Sequence, residues 1–514
     1  MAITTAYPPC GPIEGSVSEY QNSTVFKGIP YALPPVGERR WKAPEPMEPW
    51  AEPFKAFQYG SIPLQRRPMN GGFWQTEFYP YSFEMSEDCL TLNVITPAEK
   101  ETDRLPVVIW IYGGGFMQGY AHKFETDGQA FAKRGIVYVS INYRLGVMGY
   151  LVHEDLAKES PYGTAGNYGL LDQIAAIYWV KENIAAFGGD PDRITLMGQS
   201  AGAMSIYDLM ACPSVNKVFR GAIMESGGGL QGRGDFTITG NLEEGLEYGR
   251  KLFDWLGIHS IAEARAMDGH VLQKKALEFD AQFYPGQHIL QPVMDGKIIP
   301  EYPFLAQANG DFPDIPVIIG CMGDEMRYFG KPSRAALEAV MRRIYRDDYD
   351  SLEAEFGMTE PDFKPEDINY FGDQLIASIE EYGKAQTGRN APVYAYFMTN
   401  IQPGRESFGA FHSGEHFYVF QTFVRSKRPF SGKDFDLSND ICEYWSNFIK
   451  TGDPNAETMP KWEPYSEHET AMEFNRETGR KMVRYPETRT IRTLRKDTEN
   501  ELTIRRKSDS KKQQ

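Results

Sequence analysis

The chain has 514 residues, 41% hydrophobic and 24% charged, and a formal net charge of −16. That acidity argues against nucleic acid and anionic membrane as partners, and no apolar run is long enough to cross a bilayer. Met1 to Pro9 has neither a basic nor an apolar segment of secretory type, and Cys10, Cys89, Cys212, Cys321 and Cys442 are too scattered for a disulfide framework or a zinc site, so reduced thiols and a cytoplasmic location are expected.

The first hundred residues are rich in Pro, Gly and aromatics, with short alternating runs such as Ser23-Thr24-Val25-Phe26, and predict an antiparallel edge of strands and loops. Phe26 to Gly37 reads as a rigid, proline-bearing bend that serves as scaffold. Leu90 to Ile95 alternates as a strand, and Val107 to Tyr112 is apolar almost throughout, as in a strand buried on both faces. That strand runs into Gly113-Gly114-Gly115-Phe116, where three glycines leave backbone N–H groups open to close approach by a ligand. Ile136 to Ile141 is a further buried strand. Leu170, Ile174, Ile177, Val180, Ile184 and Phe187 then recur at helical spacing, predicting an amphipathic helix closed by Gly188-Gly189-Asp190-Pro191.

Ile194 to Met197 is a short apolar strand that stops at Gly198-Gln199-Ser200-Ala201-Gly202, and an Ala- and Met-rich helix follows. G-x-S-x-G between a strand and a helix describes a nucleophile elbow. A serine on so sharp a turn takes a strained backbone conformation, and its neighbours two residues either side must lack side chains. The hydroxyl is then held clear of the backbone above a helix N-terminus. Gly221 to Met224, Pro316 to Gly320 and Val393 to Phe397 continue the sheet, and Asp440 to Lys450 reads as a helix stopped by Thr451-Gly452-Asp453-Pro454. Strand and helix in alternation predict an α/β fold with a mostly parallel central sheet, helices on both faces and an antiparallel N-terminal edge. Residues 1–500 read as one domain with helical insertions around 241–281 and 333–390. Residues 501–514 read as a polar, disordered basic tail.

A serine hydroxyl needs a base, and the base needs an orienting acid. In this fold the order along the chain is Ser, acid, His. His412, in the glycine-containing loop Phe408-Gly409-Ala410-Phe411-His412, is better placed than His416 or the surface-like His468. Asp324 and Glu325 both follow a buried strand, and residue chemistry does not choose between them.

Glu87-Asp88-Cys89-Leu90-Thr91-Leu92-Asn93-Val94 resembles the second signature of the type-B carboxylesterases, a family that includes cholinesterases and bacterial para-nitrobenzyl esterases. Phe26–Gly37, Tyr112–Phe116, Asn142–Gly146, Gly166–Ser200 and Trp445–Trp462 match it in the same order. The resemblance implies an α/β-hydrolase fold with Ser200 as nucleophile. It selects Glu325, through the family's Asp-Glu-Gly segment, and His412, through Gly-x-x-His. It assigns the oxyanion hole to the backbone N–H groups of Gly114, Gly115 and Ala201, and makes Ser226 a supporting serine near the acid. Phe116, Met117, Tyr328 and Phe329 become candidate pocket residues. Small-molecule esters are the implied partners, hydrolysed through an acyl-enzyme without cofactor or metal. The departures are Met326 in place of the glycine, Gln199 where cholinesterases have Glu, Ile62-Pro63-Leu64-Gln65 where secreted relatives carry the partner of Cys89, and no counterpart of the choline-stacking tryptophan loop. They argue against cholinesterase activity. Two rival readings are an inactive adhesion relative of the same fold and a metallohydrolase using His412 and His416 of His412-Ser413-Gly414-Glu415-His416.

Overall fold

Successive residues of the apolar runs enter two different cores. Val107, Ile109 and Ile111 join one hydrophobic cluster, Val108 and Trp110 the other. Val317, Ile319 and Cys321 alternate with Ile318 and Met322 in the same way, as do Val393, Ala395 and Phe397 with Tyr394, Tyr396 and Met398. A period of two with both faces apolar is what a sheet covered on both sides requires.

The computed structural model describes the chain apart from residues 1, 21, 231–238, 326–332, 355, 359, 361, 366–367, 405–407 and 513–514, and apart from the side chains of 466–467 and 504–512. Its main sheet has eleven strands. They are β1 (Ser16–Val17), β2 (Thr24–Pro30), β3 (Thr91–Thr96), β4 (Leu105–Ile111), β5 (Val137–Ile141) and β6 (Gly189–Gln199). β7 (Gly221–Glu225), β8 (Val317–Met322), β9 (Val393–Met398), β10 (Ala471–Asn475) and β11 (Gly479–Val483) complete it. The spatial order is β11-β10-β9-β8-β7-β6-β4-β5-β3-β2-β1. From β10 to β5 the pairings are parallel, whereas β11 and the β3-β2-β1 edge are antiparallel. This is the architecture expected above.

The helices that matter for the site are α1 (Phe73–Phe78), α2 (Tyr168–Asn183), α3 (Ala201–Ala211), α4 (Leu242–Leu256), α5 (Gly269–Phe283), α6 (Arg334–Tyr345), α7 (Tyr370–Ala385), α8 (His416–Val419), α9 (Gly432–Thr451) and α10 (Arg489–Lys512). α2, α3 and α7 contribute to the first cluster, α8 and α9 to the second, so helices cover both faces. α4 falls within 241–281, α5 starts there and runs on to Phe283, and α6 and α7 fall within 333–390.

Two details differ from the sequence reading. α2 is buried nearly all round rather than amphipathic: Asp172 and Gln173 lie inside with Leu170 and Ile174. Burial is possible because Arg144 grips Asp172 with two hydrogen bonds of 2.7 Å, giving the carboxylate a charged partner. Gly188, at φ 75°, ends the helical segment, but Gly189, Asp190 and Pro191 already belong to β6. The backbone from 501 to 512 continues α10.

The register carries the consequence for chemistry. Gly198 pairs with Ile111 across β6 and β4, while Glu225 pairs with Gln199 on one side and Gly320 on the other. The carboxyl ends of four neighbouring strands therefore finish together, where open α/β sheets place ligands.

Candidate active site

Ser200 has φ 55° and ψ −125°, a conformation that L-residues avoid. It persists because both sides of the turn are pinned. Its N–H donates to the Glu225 carbonyl at 2.8 Å, and its own carbonyl accepts the Met204 N–H at 2.9 Å as α3 starts. The two glycines of the motif are required by packing. A Cβ on Gly202 would overlap the Ile111 carbonyl oxygen, and one on Gly198 would meet Gly202 backbone at 2.7 Å.

Asp324 and Glu325 take different jobs. Asp324 Oδ2 accepts the Ala410 N–H at 2.9 Å, and the Asp324 N–H donates to the Ala410 carbonyl at 2.9 Å, so this acid staples the histidine loop. Glu325, 1% exposed, accepts the Met322 N–H on Oε1 at 2.7 Å and pairs through Oε2 with His412 Nδ1. The His412 N–H also donates to the Glu325 carbonyl at 2.9 Å. A proton on Nδ1 facing the carboxylate leaves Nε2 as an acceptor. That acceptor meets the Gln199 side-chain amide at 3.1 Å. Among the described residues no hydrogen bond joins Ser200 Oγ to His412, although both line one cavity. Catalytic hydrogen bonds are often loose before substrate arrives.

The Gly113–Gly115 loop runs alongside the elbow: a Cβ on Gly113 would press on the Gln199 carbonyl and stand 2.8 Å from Ser200 Cβ. Gly114 has φ 127° and Gly115 φ 61°. The N–H groups of Gly114, Gly115 and Ala201 donate no hydrogen bond among the described residues, and all three residues border the cavity. Its volume is about 390 Å³. Phe116 and Met117 line it, while Tyr328 and Phe329, like Met326, lie outside the described residues.

Behind the imidazole lies a buried polar cluster. Ser226, at φ 49°, donates to Glu415 Oε1 at 3.4 Å, and the Glu415 carboxyl in turn feels the charge of Glu325. Glu225 Oε1 accepts the Trp445 indole N–H at 2.7 Å. Burial holds the Glu225 and Glu415 carboxyls well above the ordinary range, and burial with the nearby Lys123 ammonium holds His416 far below its own. The metallohydrolase arrangement is not formed. α8 begins only at His416, so His412 and His416 do not share a helix face, and His412 Nδ1 is spent on Glu325.

The carboxylesterase family profile matches residues 2–493. The chain belongs to the carboxylesterase family. Over 481 residues it is 34% identical to the para-nitrobenzyl esterase of Bacillus subtilis (strain 168), covering 90% of this chain and 92% of that protein. Over 483 residues it is 32% identical to fumonisin B1 esterase of Sphingopyxis macrogoltabida, covering 91% and 86%. Among solved structures, a thermophilic PNB esterase superposes with a TM-score of 0.81 at 30% identity, covering 96% of this chain and 99% of that one. A Geobacillus stearothermophilus carboxylesterase superposes with a TM-score of 0.79, also at 30% identity, covering 96% and 100%. This carboxylesterase is thus a carboxylic ester hydrolase of the α/β-hydrolase fold, acting on small-molecule esters.

Several residues of the site carry no readable sequence signal. Trp74 of α1 meets His412 edge-on at 6.3 Å, and Phe371 of α7 does so at 5.7 Å. His288 packs on Gly115, hydrogen-bonds its backbone, and is pushed down to about 4 by burial. Each lies far from the elbow in sequence, in a segment without a motif. Gln199 was visible as a departure from the family, but its contact with His412 was not.

Proposed function

We propose that this carboxylesterase hydrolyses its esters through Ser200, His412 and Glu325, with the oxyanion held by the N–H groups of Gly114, Gly115 and Ala201. The reading is carried by the meeting, in one cavity, of a strained serine, an imidazole oriented by a buried carboxylate, and three unspent backbone donors. Substrate entry displaces the Gln199 amide from His412 Nε2, and the Ser200 hydroxyl takes its place. Ser200 Oγ then attacks the ester carbonyl while Nε2 removes its proton, and Glu325 stabilises the imidazolium. The tetrahedral oxyanion sits against the three N–H groups, each donor contributing roughly 10²–10³ in rate. His412 returns the proton to the departing alcohol, and water repeats the sequence on the acyl-enzyme.

Residues 1–500 act as one unit in this reading, a boundary supported by the family match over residues 2–493. A cytoplasmic setting is supported by five cysteines that are all unpaired. Among the described residues no helix is long and apolar enough to cross a membrane. The relatives named for para-nitrobenzyl and fumonisin esters make small to medium ester substrates the first to try.

The test is labelling by a fluorophosphonate probe together with turnover of a nitrophenyl ester. Wild type should be labelled at Ser200 and should turn over, and Ser200→Ala should lose both while keeping its melting temperature. Undiminished turnover by Ser200→Ala would overturn the assignment, and failure of wild type to be labelled would favour a binding protein.

A further inference from the structure

The glycine loop beside the elbow carries strain that its glycines do not account for. Phe116 has φ 59°, a value that residues with a Cβ avoid. Turning over the peptide plane between Gly115 and Phe116 would return Phe116 to a negative φ and swing Gly115 with it. Strain of this kind persists only where the surroundings hold it in place. Two carbonyls of the loop are held by backbone. That of Gly114 accepts the N–H groups of Met117 and Gln118, each at 3.1 Å, and that of Phe116 accepts the Gly146 N–H at 2.8 Å. The carbonyl between them, on Gly115, accepts no backbone N–H among the described residues.

His288 fills that gap. A Cβ on Gly115 would lie 3.4 Å from His288 Cε1 and 3.6 Å from Nδ1, so the ring and the loop are in direct contact. Burial and the charges of Arg66 and Arg343 push this imidazole down, whereas its hydrogen bond to the Gly115 backbone favours the protonated ring. That direction belongs to a ring N–H donating to a carbonyl oxygen. The segment that presents the ring is itself fixed. It follows α5, and Leu290, two residues beyond His288, is buried. Val293 exchanges two hydrogen bonds of 2.8 Å with the Asn167 side chain at the start of α2.

We propose that His288 is a positioning residue for ester hydrolysis: its ring N–H, bound to the Gly115 carbonyl, locks the Gly115–Phe116 peptide and so aims the loop's N–H groups at the oxyanion. The inference rests on the esterase reading above. Its test removes the donor but keeps an aromatic ring, with His288→Phe, and then restores a donor with His288→Asn and His288→Gln. In His288→Phe, kcat/KM for a nitrophenyl butanoate should fall by about tenfold or more, within what one oxyanion donor contributes. The loss should fall on charge that develops in the transition state and spare binding of the ground state. Trifluoromethyl pentyl ketone, which captures Ser200 as a hemiketal oxyanion, should therefore also bind about tenfold more weakly. Methyl pentyl ketone, of similar shape but reluctant to form that adduct, should inhibit within about twofold of wild type. The better of the two amide variants should regain most of the loss, because a side-chain amide offers an N–H of its own. His288→Leu serves the same comparison if the phenylalanine variant does not fold. Undiminished kcat/KM without the donor, equal weakening of both ketones, or no recovery in either amide variant would overturn the assignment. Absence of hydrolysis by wild type, with no labelling of Ser200, would instead overturn the esterase reading.

Discussion

At the scale of single residues, the telling contact is Gln199 on His412 Nε2. On the mechanism proposed above the base needs that lone pair to accept the serine proton, so Gln199 would compete with Ser200 in the resting enzyme and let go for each turnover. As a neutral amide it adds no Coulombic stabilisation to the imidazolium. Gln199→Glu would put a carboxylate against the same nitrogen, and an opposite charge at that range favours the protonated ring. Protonated His412 cannot act as base, so the acid limb of the kcat/KM profile should move to higher pH, by about one unit or more. A pH-rate series on one nitrophenyl ester checks this. An unmoved limb would mean that the side chain at 199 swings away before the base is used.

At the scale of elements, activity depends on how closely the elbow approaches β4. Gly202→Ala places a methyl group inside the Ile111 carbonyl, so either α3 or the strand must shift. A loss of about 2 kcal/mol or more in stability is expected, together with a fall of at least about a hundredfold in kcat, because displacements near 1 Å cost that much at a reacting centre. Gly221→Ala is the control. Its methyl would find Thr195 Oγ1 at 3.4 Å, an ordinary contact, and should be tolerated. Denaturant melts and turnover of both variants separate packing from chemistry. This part of the fold was legible because its causes are local: apolar runs of strand length, glycines flanking a serine, a Gly-x-x-His loop. What escaped depends on contacts across long stretches of chain. Asp324 and Glu325 are chemically alike neighbours, and only the register of β8 against the histidine loop sends one to Ala410 and the other to the imidazole. α2 looked amphipathic because nothing in its own sequence says that Asp172 is neutralised by Arg144. Gln199 and His412 stand 213 residues apart, and no local pattern joins them.

At the scale of the whole molecule, several ionisable groups are buried uncharged, which couples stability to pH. Burial pushes Asp208 of α3 up to about 7, with the Thr239 hydroxyl as its partner at 2.6 Å, and raises Glu225 and Glu415 as well. Burial pushes His288 and His122 down to about 4. The two classes pull in opposite directions. The folded state holds the Asp208 proton from the ordinary carboxylate range up to pH 7, where the unfolded chain has already released it, so this contribution is present at low pH and lost as pH rises. The buried imidazoles refuse a proton that the unfolded chain accepts, so their contribution is lost as pH falls from about 6.5 towards 4. Above pH 6.5 only the carboxyls matter, and the melting temperature of wild type should decline. Asp208→Asn isolates one of them. The amide keeps the acceptor for Thr239 and never ionises, whereas the imidazoles are common to both proteins and cancel in the difference. The melting temperature of Asp208→Asn relative to wild type should therefore climb from pH 4.5 to pH 7.5, by about 2 °C or more, and level off above. Calorimetry of the two proteins over that range checks it, and a difference that stays constant would mean that Asp208 is ionised in the folded chain throughout.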